Sequence, residues 1–436
     1  MIGALATPGT YRLVSRLAGP AISFYLRRRL ARGKEERARF GERLGRAAPP
    51  RPDGFLVWCH AASVGESMAL LPLLDRLHQA RPALSALVTS GTVTSARLLA
   101  ERLPPFAVHQ YVPVDRPDPV RRFLKHWRPD LALWVESELW PNLVLETARR
   151  GVPMFLVNAR MSDASAARWV RYPKLIAALL AAFRVVLTQT EADAARFRDL
   201  GATVECTGNL KYDAPAPHYD AAALEALKAA IGGKPCWLAA STHDGEEAVA
   251  LDAHVRLATR RRDLLTIVAP RHPERGETVV ALARARGLVV ARRSRGEPIA
   301  PETAVYLADT LGELGLFYSL CGVVFVGGSL VPVGGHNAIE PARLDCALIA
   351  GPDMANFTDL QTALRDAGAL ATVRDAASLA EAVAALLDDP ARRDACATSA
   401  RRVAESLGGA AERTLAHLLP AIPDAQNSEA PRRARA

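Results

Sequence analysis

Two acidic stretches and two cations carry the chemistry that this chain offers. His60-Ala61-Ala62-Ser63-Val64-Gly65-Glu66-Ser67 follows the apolar run Phe55 to Cys59. Among such small residues a carboxylate has room to take a proton from an incoming hydroxyl, which makes Glu66 a candidate general base. The same residue also reads as an early helix position, where its charge favours the dipole. Glu136-Ser137-Glu138-Leu139-Trp140-Pro141-Asn142 follows the run Leu131 to Val135. Carboxylates at a strand end can orient a catalytic group or a sugar hydroxyl, pair with a structural arginine, or cap the next helix. The spacing leaves these open. Lys211, beside Asn209, and Arg271, in Ala269-Pro270-Arg271-His272-Pro273-Glu274-Arg275, are the phosphate candidates. A cation at a strand end is placed to stabilise a leaving phosphate.

A glycine-rich stretch, Val326-Gly327-Gly328-Ser329-Leu330-Val331-Pro332-Val333-Gly334-Gly335-His336-Asn337-Ala338-Ile339-Glu340-Pro341, adds a candidate anion site. Glycines allow close backbone approach, and a helix starting near Asn337 would aim its free N–H groups at a phosphate. An empty strand-to-helix turn is the other reading. Ser241-Thr242-His243-Asp244-Gly245-Glu246-Glu247 is a similar turn with capping residues.

Parallel α/β domains are what would position these residues. Apolar runs of strand length recur at 55–59, 84–89, 131–135, 154–158 and 185–190, alternating with helical stretches. After Asp213 the pattern stops at Ala214-Pro215-Ala216-Pro217-His218, and it resumes at 236–240, 265–269, 289–291, 304–307, 323–326 and 347–350. Such alternation argues for parallel sheets with covering helices. The boundaries expected are a basic segment over 1–50, a first Rossmann-like domain over 51–213 and a linker over 214–222. A second such domain covers 223–423, and a disordered basic tail covers 424–436. The motifs all follow strands, and ligands collect at the carboxyl ends of such strands, so the motifs are expected to face a cleft.

Charge is uneven. Residues 1–51 hold 12 Lys or Arg and 3 Asp or Glu, whereas the rest holds 43 of each sign. A basic start on a neutral body points to an anionic partner, nucleic acid or membrane surface. The apolar stretch Leu17 to Leu26 is shorter than the roughly 20 residues of a membrane span. With Phe24, Tyr25 and the following arginines, it suits an anchor lying on an anionic leaflet. Six scattered cysteines without a C-x-x-C pair argue for a reducing compartment, with neither a disulfide framework nor a zinc site. No P-loop, G-x-G-x-x-G or G-x-S-x-G motif is present, and no His, Cys or Asp set has metal-ligand spacing.

Taken in order, the motifs resemble one family, the 3-deoxy-D-manno-oct-2-ulosonic acid (Kdo) transferases of lipopolysaccharide assembly. The resemblance runs from about residue 20 to 415. It is carried by the stretches 60–66, 136–142, 158–160, 208–211, 241–247, 270–275, 309–314 and 351–357, together with the glycine-rich stretch. It implies a GT-B fold of two Rossmann-like domains, with the acceptor on the first and the CMP-activated sugar on the second. It implies inverting transfer of Kdo from CMP-Kdo to a lipid A precursor (lipid IVA), with neither metal nor other cofactor. The expected place is the cytoplasmic face of the inner membrane, with the protein peripheral or anchored by its N-terminus. By position, Glu66 is the base, and Glu136 and Lys211 stabilise the transition state. Pro270, Arg271, Leu311, Gly312, Glu313, Asn337, Ala338, Ile339 and Glu340 hold CMP. Arg12 and Arg16 interrupt an N-terminus that is more hydrophobic in the family, which counts against a span and not against membrane association.

Two other readings compete. Another GT-B enzyme, a UDP-sugar transferase or epimerase, would prefer UDP to CMP. A nucleic-acid-binding protein would use the basic N-terminus, but 6% aromatic residues and a neutral body are poor material for a stacking platform, so no nucleic-acid partner is expected.

Overall fold

A computed structural model describes residues 7–46, 49–213 and 216–424. The expected tail therefore lies outside the described residues, except for Asp424, as do residues 214–215 of the expected linker. The chain forms two compact units, one of Met1–Ala214 with Gly408–Ala436 and one of Pro215–Leu407.

The first unit holds seven strands: β1 (Phe55–His60), β2 (Leu84–Ser90), β3 (Ala107–Tyr111), β4 (Leu131–Val135), β5 (Met154–Ala159), β6 (Val185–Thr188) and β7 (Val204–Cys206). They pair in the order β3-β2-β1-β4-β5-β6-β7, all parallel. The second unit holds β8 (Cys236–Thr242), β9 (Leu265–Pro270), β10 (Val290–Arg292), β11 (Val305–Leu307), β12 (Val323–Val326), β13 (Ala347–Ala350) and β14 (Leu370–Thr372). Their order is β10-β11-β9-β8-β12-β13-β14, again all parallel. Central strands such as β4 and β12 are buried along their whole length. Helices on both faces take the apolar side chains of such strands, which is why they read as unbroken apolar runs. The short strands β3, β7 and β14 lack such runs and are not legible in the sequence.

In each sheet the strand order reverses once, between β1 and β4 and between β8 and β12. Loops leaving the carboxyl ends there diverge and open a crevice for ligands.

The expected end of the second domain at 423 is corrected. Residues 408–424 return to the first unit, and the expected linker ends early because a helix starts at Ala221. Asp213 accepts the N–H of Gly409 at 2.6 Å, and Arg413 Nε donates to the Thr207 carbonyl at 2.8 Å. Ala411, Leu415, Leu418 and Ile422 then pack into the core around Leu70, Leu73 and Leu74.

The basic N-terminal segment, of which residues 1–6 and 47–48 lie outside the described residues, is helical over much of the rest. Helix Pro8–Leu17 packs on helices Pro117–Trp127, Pro141–Arg149 and Pro173–Leu180, and Tyr11 Oη donates to Asp115 at 2.9 Å. Part of its charge is internally balanced: Arg29 and Arg43 both pair with buried Glu35, and Arg39 pairs with Glu42. Leu13, Val14, Leu17, Phe24 and Tyr25 stay exposed. Among the described residues, no helix is long and apolar enough to cross a membrane.

Candidate functional site

In the first unit the segments that follow β1 and β4 carry Glu66, Glu136 and Glu138. Glu66 occupies the third position of helix Val64–Ala80, whose N-cap is Ser63. Ser63 Oγ accepts the Glu66 N–H at 3.3 Å and donates its own proton to Glu66 Oε1 at 2.7 Å. The Ala62 N–H donates to Oε2 at 2.7 Å. Both readings of Glu66 thus meet in one geometry: it closes the helix start, and its carboxylate is fixed at the strand end. Burial raises its pKa, the Ser63 and Ala62 hydrogen bonds pull it back, and the charges of Glu136 and Glu138 add to the rise. A buried carboxylate with raised pKa is a stronger base than an exposed one.

Glu136 sits just past β4 with φ of 60°, and Asn158, in β5, has φ of 52°. Non-glycine residues held there cost about 1–3 kcal/mol each and gather at functional sites. Asn158 is fully buried, and its Oδ1 accepts the Leu210 N–H at 2.9 Å. That bond ties the Gly208-to-Lys211 turn to β5 and brings Lys211 Nζ to Glu136 Oε1 at 2.9 Å. Arg160 adds a second cation at 3.9 Å from Oε2. Three separated motifs therefore converge on one carboxylate. Lys211, read as a free phosphate candidate, has its ammonium committed to Glu136.

A cavity of about 580 Å3 lies in the same unit, lined by Tyr11, Ile22, Leu26 and Leu143, with Glu138 and His60 also on its wall. His60 is fully buried and its Nδ1 bonds Thr89 Oγ1 at 3.0 Å. Burial lowers its pKa to about 4, so the ring is neutral at pH 7.

In the second unit, much of the glycine-rich stretch is hydrogen-bonded by the protein itself. Glu246, with no exposed surface, accepts the N–H groups of Gly328, Ser329 and Leu330 at 2.6, 3.0 and 2.9 Å and that of His243 at 2.9 Å. The Gly334 N–H is taken by Asp353 and the Gly335 N–H by the Gly328 carbonyl. The protein's own groups therefore occupy the amides of all four glycines, Gly327 giving its N–H to the Ala240 carbonyl. The helix expected near Asn337 starts at Ile339 and lasts five residues, too short to build up much dipole. Nothing in the sequence reveals that Glu246 serves a loop more than 80 residues away; its place in the first turn of helix Glu246–Ala258 suggests only a cap.

The other residues that the sequence singled out in this unit stand as follows. Pro270 ends β9, and the Arg271 N–H donates to the Thr242 carbonyl at 2.9 Å. The exposed Arg271 guanidinium makes no ion pair among the described residues. Asn337 Oδ1 accepts the Ile339 N–H at 3.0 Å, while Ala338 and Ile339 are fully buried. Burial raises the pKa of Glu340, against a hydrogen bond from Asn337 and the charge of Arg271. Leu311 is 76% exposed and Gly312 has φ of 81°. Glu313 is tied to Arg293 at 2.6 Å, which holds its carboxyl below the usual range. His243 and His336, which the sequence reading left without a role, meet at the reversal point of this sheet.

Residues 38–214 match the family model described as 3-deoxy-D-manno-octulosonic-acid transferase (kdotransferase). The chain is 35% identical to the probable mitochondrial 3-deoxy-D-manno-octulosonic acid transferase of Arabidopsis thaliana, an alignment covering 91% of this chain and 92% of that protein. It is 38% identical to the 3-deoxy-D-manno-octulosonic acid transferase of Bordetella pertussis, over 93% and 97% of the two chains. The chain belongs to the Kdo transferase family. As a Kdo transferase family member it is a glycosyltransferase, and its fold is of the GT-B class. A UDP-GlcNAc 2-epimerase from Neisseria meningitidis, 13% identical, superposes with a TM-score of 0.57 over 84% of this chain and 100% of the other. A glycosyltransferase from Rickettsia africae, 12% identical, does so with 0.55 over 85% and 99%. At these identities the likeness to this Kdo transferase is one of fold alone.

Proposed function

We propose that this enzyme moves Kdo from CMP-Kdo to a lipid A precursor, lipid IVA, in lipopolysaccharide assembly. The observation that carries the reading is the buried, pKa-raised Glu66, fixed by Ser63 and Ala62 in the field of Glu136 and Glu138. In this reading Glu66 takes the proton of the acceptor hydroxyl, whose oxygen attacks the anomeric carbon of Kdo. The bond to the phosphate breaks from the opposite side, so configuration inverts and CMP leaves with the electron pair. The Glu136–Lys211 pair supports the transition state: its fixed charges need no reorganisation as charge develops.

Pro270, Arg271, Leu311, Gly312, Glu313 and Asn337 to Glu340 are proposed to hold CMP. Arg271, free of a carboxylate partner, is the cation for the phosphate. Transfer is proposed to proceed without a metal, the phosphate charge being met by such side chains. The exposed apolar residues of helices Pro8–Leu17 and Gly19–Ala31, with Arg16, Arg27 and Arg28 among them, support peripheral docking on the anionic cytoplasmic face of the inner membrane.

Purified enzyme given CMP-Kdo and tetra-acylated lipid A precursor is expected to release CMP, and mass spectrometry of the product counts the sugars added. No release with active donor overturns the reading. Tighter binding of UDP than of CMP would favour a UDP-sugar enzyme instead.

A further inference from the structure

The rings of His243 and His336 are nearly parallel, 9° apart, with their Nε2 atoms 2.8 Å from each other. Their centroids are 5.1 Å apart, so centroid and nitrogen separations differ by 2.3 Å, about one ring width. The rings therefore meet edge to edge in almost one plane, the geometry of a linear N–H···N bond. Such a bond holds a single proton between the two nitrogens. A second proton on an outer nitrogen leaves the bond intact, makes it charge-assisted and turns the pair into a cation.

The fold is shaped to seat this pair. His243 follows β8 and His336 ends the glycine-rich stretch after β12, so both rings stand at the reversal point of the sheet. Gly328 has φ of 68°, and a Cβ there would lie 3.1 Å from His336 Cδ2 and 3.2 Å from its Nε2. The glycine gives the ring its place. Glu246 binds the N–H of His243 and that of Gly328, the glycine that faces the His336 ring.

The surroundings oppose a charge on the pair. Burial lowers both pKa values, that of His336 to about 4, and Arg271 and His272 push in the same direction. Glu246 and Glu247 favour a charged His243, but they answer to the loop amides and to Arg275 respectively. Asp244 also pairs with Arg275, Glu274 lies 3.7 Å from His272, and Glu340 has its own pKa raised by burial. An anion arriving beside Arg271 reverses this balance.

We propose that His243 and His336 form a two-ring site that takes up a proton when the phosphate of the nucleotide donor binds, and sets that positive charge against the phosphate as the sugar leaves. This rests on the CMP-sugar reading of the second unit. The bookkeeping closes: the sugar–oxygen bond breaks, its electron pair stays on the phosphate, and the acceptor's proton goes to Glu66. CMP thereby gains one negative charge, which the proton on the ring pair offsets until CMP and proton leave.

Calorimetric titration of the full-length chain with CMP at pH 7, in two buffers of different ionisation enthalpy, tests this. Wild type should take up a proton on binding, and its affinity should rise by up to about tenfold per unit as pH falls from 8 to 7. The phosphate of CMP cannot supply that sign: with a second pKa near 6, it would release protons on meeting a cation. Cytidine should bind with no uptake. His336→Gln and, as the less buried alternative, His243→Gln should abolish the uptake while circular dichroism stays native. CMP binding without uptake in wild type, or uptake persisting in both variants, overturns the proposal. Failure of folded wild type to bind CMP overturns the donor reading itself, and the proposal with it.

Discussion

Replacing Glu66 by Gln separates its two roles. Its carboxylate accepts one bond from the Ala62 N–H and one from the Ser63 hydroxyl, each at 2.7 Å. In Glu66→Gln the amide oxygen keeps the Ala62 bond, and the amide NH2 faces Ser63 Oγ, which can rotate and accept. Two charge-assisted bonds become neutral ones, so the fold should lose about 1–2 kcal/mol. The base is lost outright, and removal of a general base lowers turnover by about 10²–10⁴, or roughly 3–5 kcal/mol of barrier. The assay measures CMP release at saturating donor and acceptor, with CMP affinity by calorimetry and thermal midpoint as controls. Wild-type kcat should fall on an acid limb above the ordinary glutamate value of 4.5, because burial and the neighbouring carboxylates raise the Glu66 pKa. The variant should lose that limb. A variant that keeps kcat within about threefold of wild type while its stability falls would refute the reasoning, leaving Glu66 as a helix cap.

Glu246→Gln places an amide NH2 against backbone donors and should destabilise the protein by about 3 kcal/mol or more, read as a lower denaturant midpoint, and weaken CMP binding. A native midpoint would contradict the role given to Glu246. His254, buried with its Nδ1 at 2.8 Å from Thr266 Oγ1, has its pKa lowered to about 4 by burial. A folded-state pKa below the unfolded value of 6.5 means stability that is present above pH 6.5 and lost as pH falls toward 4. The unfolding free energy of wild type relative to His254→Gln should therefore shrink by up to about 1.4 kcal/mol per unit from pH 6.5 to 5, and a pH-independent difference would rule this out. Leu17→Glu with Phe24→Glu should reduce co-sedimentation with anionic vesicles by at least about tenfold, each apolar side chain being worth about 1.5–3 kcal/mol when buried. Undiminished co-sedimentation would remove these helices from the membrane contact.

Residue pattern was enough for the long buried strands and for the class of fold. Continuous apolar runs such as Val323 to Val326 can be satisfied only by burial on both faces, so alternation with helices fixed two parallel α/β units. Motif order fixed the family, and small residues before Glu66 marked a carboxylate held in place at a strand end. Tertiary structure decided which polar groups answer one another, because those pairings join residues far apart in the chain. Lys211 reaches Glu136 only because Asn158 anchors its turn. Residues 408–424 join the first unit because Asp213 and Thr207 receive them. The glycine-rich stretch shows the limit most clearly. Its composition offered amides to a phosphate, but a buried carboxylate cannot stay uncompensated, and Glu246 takes three of those amides for itself. The side chain that Gly328 lacks leaves room for the ring of His336, a role that no local pattern encodes.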